Sequence, residues 1–205
     1  MMNVVKRSLM GIILGSLVVV LLSSCGGEKP KKVAEEAINA EITAALSENG
    51  DFERFYSFLS TSDRDACTLD NFKDFYRLPI ELTGALELIP EAKQHIKVSD
   101  FKETITGERA VVTFKITLPD TDAMGKLSLS DLQSLAGMKW QKLTDLPEEI
   151  QNKIVADVAA NGIPEKEMVQ QVNMVREEDS WKLQLGLKQQ IADNRRIRTV
   201  FHENR

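Results

Sequence analysis

Residues able to do chemistry are sparse in this chain, and Cys25 is the one whose surroundings form a pattern. Lys6 and Arg7 give a positive start, Ser8 to Leu22 run without a charge, and Leu22-Ser23-Ser24-Cys25 closes the stretch. A charged beginning, a short apolar run and small residues at a cut site describe an export signal, expected to be cut at the end of this stretch. Cys67 is the other thiol; it has no CxxC partner and no neighbouring His or Lys, and acids nearby disfavour the thiolate. It reads as a buried small hydrophobe. His95 and His202 are the only histidines and have no second ligand at i+3 or i+4, whereas a zinc site needs about four ligands in recognisable spacing. His95 is expected to cap a helix end, and no metal or cofactor is expected. Arg195, Arg196 and Arg198 form the one basic cluster, able to meet an anionic lipid or glycan but balanced by Asp193 and Glu203 as a solvated face would be. There is no Gly-rich phosphate loop and no locally supported Ser-His-Asp set.

The Leu-Ser-Ser-Cys ending resembles the lipobox of bacterial lipoproteins. That resemblance implies a diacylglycerol thioether on Cys25, which becomes the mature N-terminus, usually with a third chain on its amine. Two or more acyl chains, at about 0.8 kcal/mol per buried methylene, hold a protein stably where one chain holds it marginally. An uncleaved membrane span is the alternative, but Ser8 to Leu22 falls short of the roughly 20 apolar residues that a bilayer core requires. Residues 1–24 are therefore expected to be a signal peptide and residues 25–32 a lipidated tether, with Gly26-Gly27-Glu28-Lys29-Pro30 suited to a flexible leash. No Asp follows the cysteine, so the resemblance implies the outer membrane over inner-membrane retention, facing the periplasm, with surface display as the alternative.

Charge and length bound the rest. The 205 residues carry a net charge of −5, and removing residues 1–24 takes away Lys6 and Arg7 but no acid, giving −7. An acidic chain is a poor nucleic-acid ligand, because that binding is dominated by Lys and Arg neutralising phosphates. The length left suits one domain, or one domain with an insertion, and needs no disulfide to bury a core.

Ala34, Ile38, Ile42, Ala45 and Leu46 predict an amphipathic helix over 31–47, ended by Asn49-Gly50. Asp51 opens a short helix with Phe52, Phe55, Tyr56 and Leu59; Ser60 to Asp65 reads as a polar turn; Leu69 to Tyr76 and Ile80 to Ile89 read as further helices, the last broken by Pro90. The period then changes to two. Val112, Phe114, Ile116 and Leu118 alternate with polar neighbours, Phe101, Glu103 and Ile105 do so upstream, and Thr106-Gly107-Glu108 turns between them. A second hairpin is expected from Val172 and Met174 through the turn Glu177 to Ser180 to Trp181, Leu183, Leu185 and Leu187. Between the hairpins, a helical insertion is expected over 121–167, with one helix over Ser130 to Lys142 and another framed by Pro147 and Asn161-Gly162. Residues 191–205 form a polar tail.

Asp51-Phe52-Glu53-Arg54-Phe55-Tyr56 and Glu178-Asp179-Ser180-Trp181-Lys182-Leu183, within 31–59, 97–118 and 170–187, resemble NTF2-like (cystatin-like) domains of bacterial lipoproteins. The resemblance implies an α+β fold over 33–190, in which N-terminal helices pack on a curved antiparallel sheet to form a cone. Enzymes with this fold, steroid isomerases and polyketide cyclases among them, pair a carboxylate base with a Tyr or protonated Asp inside an apolar cone. Tyr56 and Tyr76 could supply the hydroxyl and Asp100 or Glu103 the base, or all four could be structural. Tyr56, Tyr76, Phe114 and Trp181 are the candidate pocket lining. The expected function is a non-catalytic, lipid-anchored envelope module binding a small ligand or a protein partner, with the membrane as its second partner. An isomerase- or cyclase-like enzyme and a structural subunit of an envelope complex are the alternatives.

Overall fold

The computed structural model describes residues 28–47, 50–76, 78–124, 135, 139 and 141–194. The leader through Gly27, most of the expected helix over Ser130 to Lys142, and the tail from residue 195 onward lie outside the described residues. Within them the fold is α+β, built on an antiparallel four-stranded sheet in the order β1-β2-β3-β4.

Helix α1 (Pro30–Leu46) starts on Pro, whose missing N–H is no loss in a first turn, and its buried stripe is rich in alanine: Ala34, Ala37, Ala40 and Ala44 with Val33 and Ile38. Small side chains allow this helix to lie close across all four strands. Helices α2 (Glu53–Ser57), α3 (Thr61–Ala66), α4 (Leu69–Phe75) and α5 (Ile80–Leu88) follow, with a 3-10 turn at Pro90–His95. The stretch expected to be a polar turn is thus α3. Ser60 caps it by accepting from Asp63 N at 3.2 Å, and Thr68 caps α4 in the same way.

Strand β1 (Lys97–Thr106) turns at Gly107-Glu108 into β2 (Arg109–Pro119), whose Ala110, Val112, Phe114, Ile116 and Leu118 are buried. A register shift between Ser99 and Lys102 marks a bulge, with Asp100 at φ +57°. The bulge moves the inward face of β1 from Val98 to Phe101, Glu103 and Ile105, and it bends the strand. Strand β3 (Glu165–Glu177) is longer than its apolar residues advertise and takes in residues 165–167, which were expected to end the insertion. Strand β4 (Ser180–Gln184) is shorter than expected. Gly186, at φ +69°, stops the alternation, and Leu187 opens helix α8 (Leu187–Asn194) instead of extending the strand. Trp181, Phe114 and Ile116 are buried on one face of the sheet, beneath the helices. The other face meets solvent, with Val111 partly exposed and Val169 70% exposed.

The connection from β2 to β3 contributes α6 (Thr121–Met124), a 3-10 turn at Leu143–Asp145 and α7 (Glu148–Asn161), which Pro147 and Gly162 bound as the sequence indicates. Met124, Leu135, Leu143, Leu146, Ile150 and Ile154 join the same apolar core as the sheet, so this segment is part of the body. Its anchor is α5. Glu87 accepts from Lys142 Nζ at 2.7 Å and Thr144 Oγ1 at 3.0 Å, and the Lys142 hydrogen bond holds the Glu87 carboxyl below its ordinary range. Backbones touch beneath these bonds, since a Cβ on Gly84 would lie 2.5 Å from Lys142 Cβ and 2.8 Å from Leu143 N. Gly84→Ala is therefore expected to lower stability by about 1–3 kcal/mol through forced separation of α5 from residues 142–143. Urea denaturation measures this, and an unchanged midpoint would contradict the close packing.

Candidate functional site

The expected pocket residues fall in two places. Tyr56, on α2, donates its hydroxyl to Cys67 O at 2.7 Å, with Arg64 O at 3.3 Å, and sets its ring edge-on to Phe72. Burial pushes the pKa of this phenol up and makes it a weaker acid, the neighbouring Cys67 adds to the rise and Arg64 opposes it. A hydroxyl so occupied ties α2 to the α3–α4 connection. Tyr76 is buried, its ring 4.3 Å from Phe52 and 5.8 Å from Phe72, so Phe72 joins both tyrosines in one aromatic cluster. Phe114 lies elsewhere, stacked on Phe101 at 5.2 Å, and Trp181 sits on the same sheet face two strands away.

The candidate bases separate in the same manner. Asp100 stands exposed on the β1 bulge and pairs with Lys115 at 3.2 Å, which also reaches Glu167 at 3.6 Å. Glu103 accepts from Lys31 N at 2.8 Å and so closes the first turn of α1, where free N–H groups and the positive helix end favour a carboxylate. Neither meets a tyrosine hydroxyl. Tyr76 instead donates to Glu41 Oε1 at 3.3 Å. Glu41 is 1% exposed on α1, and the sequence reading passed over it. Its signal was its place, since Ala34, Ile38, Glu41 and Ala45 share one stripe of the helix.

His95 closes the 3-10 turn, at a helix end as expected, and its Nδ1 lies 2.6 Å from Glu165 Oε1, which joins that turn to β3. Cys67 is buried, and burial, then the Asp63 charge, pushes its thiol up. Among the described residues no group of His, Cys, Asp and Glu is placed to hold a metal ion. Cys25, Ser24, His202, Arg195, Arg196 and Arg198 lie outside the described residues.

The densest polar constellation is one that the sequence reading did not single out. Asp63, 2% exposed on α3, accepts from Leu185 N at 2.6 Å and Ser60 Oγ at 3.1 Å through Oδ2, and from Leu187 N at 2.7 Å through Oδ1. Beside it, Ser60 N donates to Leu183 O at 2.7 Å and Leu183 N to Phe58 O at 2.8 Å, covering the outer edge of β4 at Leu183. Glu177 completes the junction by accepting from Thr61 N at 2.9 Å and Thr61 Oγ1 at 2.8 Å. This is a structural clamp, and its chemistry is anchoring.

Comparison with known proteins adds no relative: no family model, curated protein or solved structure matches the chain.

Asp63→Ala strands a buried backbone donor at Leu187 and a part-buried one at Leu185, and a loss of about 3 kcal/mol is expected in urea denaturation. Asp63→Asn keeps one acceptor oxygen and should lose less. A loss under about 1 kcal/mol for the alanine variant would contradict the clamp.

Proposed function

We propose that this chain is a lipid-anchored protein of the bacterial envelope whose α+β body serves as a non-catalytic binding module, on the periplasmic side of the outer membrane. The carrying observation is the uncharged run from Ser8 to Leu22 closed by Leu22-Ser23-Ser24-Cys25. Among the described residues no helix is long and apolar enough to cross a membrane. The run from Ser8 to Leu22 is shorter than the roughly 20 apolar residues that a bilayer core requires, and acyl chains on Cys25 suffice for attachment when two or more are present.

An NTF2-like relationship is part of this proposal. Its support is the long α1 lying across the inner face of an antiparallel sheet bent at the β1 bulge, with Trp181 in the last strand facing that helix layer. Binding is favoured over catalysis because the candidate groups already serve the fold: Tyr56 holds Cys67 O, Glu103 caps α1 and Asp100 pairs with Lys115. A protein partner is favoured over a ligand among the four aromatic residues, since Phe114 and Tyr76 are packed against neighbouring rings. The isomerase- or cyclase-like reading keeps one supporting feature, the Tyr76–Glu41 hydrogen bond at 3.3 Å between a buried hydroxyl and a buried carboxylate. Both groups are enclosed, so a substrate would have to displace core aromatic rings to reach them.

Growing cells with labelled palmitate is expected to label the full chain and not Cys25→Ala, and the variant should leave the membrane fraction. Equal labelling of the two proteins would defeat the anchor.

A further inference from the structure

If Cys25 carries the acyl chains, the position of the body over the membrane follows from covalent length. Only Gly26 to Lys29 separate Cys25 from Pro30. Five residue steps at full extension span about 17 Å. A single domain of this size is roughly 40 Å across. The leash is therefore shorter than the body, and whatever surrounds the start of α1 must stay near the lipid headgroups.

That surroundings is fixed by the fold. Pro30 is buried, and Lys31 N is held 2.8 Å from Glu103 Oε2, so the first turn of α1 is pinned to β1. Glu103 lies in the half of β1 that leads to the Gly107-Glu108 turn. Two residues on, about 7 Å along the strand, Ile105 is 50% exposed on the same sheet face. Lys29 and Lys31 are exposed at the helix start. The acidic β3–β4 tip, Glu178 and Asp179, lies two strand spacings away, about 10 Å. At the far end of the sheet, about 40 Å down the length of β3, lie Glu165 and the close of α7.

We infer that the β1–β2 hairpin end, with Ile105 as its apolar point and Lys29 and Lys31 beside it, rests against the phospholipid surface. The inference rests on the anchor reading above. It leaves the far end of the sheet, including the end of α7, facing away from the membrane.

The test uses the full chain, acylated in cells and reconstituted into equimolar phosphatidylethanolamine and phosphatidylglycerol vesicles carrying nitroxide headgroups. A fluorophore is placed through Glu108→Cys or Asn161→Cys, and buried Cys67 stays unlabelled. Quenching several-fold stronger at 108 than at 161 is expected. Equal quenching, or stronger quenching at 161, in protein whose intact mass includes the acyl chains would overturn the orientation while leaving the anchor standing. An intact mass without acyl chains would overturn both. Ile105→Glu should lower quenching at 108 several-fold with the mass unchanged, and unchanged quenching would overturn the Ile105 contact.

Discussion

A single buried carboxylate holds the helical layer to the end of the sheet. Asp63 takes hydrogen bonds from two backbone amides that no neighbouring strand can serve, Leu185 N where β4 has stopped and Leu187 N where α8 begins. Amides shielded from water, wholly at Leu187 and partly at Leu185, need partners, and a charge taken out of water is tolerable only when fully hydrogen-bonded. Each requirement answers the other. With Ser60 and Phe58 bonded to Leu183, the same junction closes the outer edge of β4 at that residue, where it would otherwise offer unpaired groups to another chain.

Because α3 is fastened there, the chain on either side of it is placed. Tyr56 before it reaches Cys67 O after it, and the rings of Phe52, Phe55, Phe72 and Tyr76 gather into one cluster that meets α1 at Glu41. The alanine stripe of α1 lets the sheet approach, and residues 142–146 close over α5 at Gly84. Polar groups that could do chemistry are drawn into this framework as fasteners. The same economy supports the proposal of an anchored binding module, whose working surface is outside and whose interior is committed to structure.

Much of the architecture was legible because apolar residues kept strict periods. The alternation at Val112, Phe114, Ile116 and Leu118 gave β2, and the spacing of Ala34, Ile38 and Ala45 gave α1. Failures came where polar residues do buried work. Ser60 to Asp65 read as a turn from its polarity, although Ser60 followed by Asp63 is a capping pattern. The first half of β3 was hidden because Gln170 faces the core while Val169 faces solvent, which inverts the expected code. Leu187 kept the two-residue rhythm of β4 by coincidence, and Gly186 was the residue that broke it. Glu41 was passed over because an acid in an apolar stripe lowers the apparent amphipathicity, while its partner Tyr76 is far off in sequence. No local spacing could have joined Asp63 to Leu185 and Leu187, since that contact exists only once the sheet is folded.

Amide hydrogen exchange at Leu185 and Leu187 tests the clamp most directly. If Asp63 ties these donors into the core, both should exchange only through global unfolding, with protection matching the stability from urea denaturation. Exchange at the pace of an unprotected loop in the intact protein would contradict it.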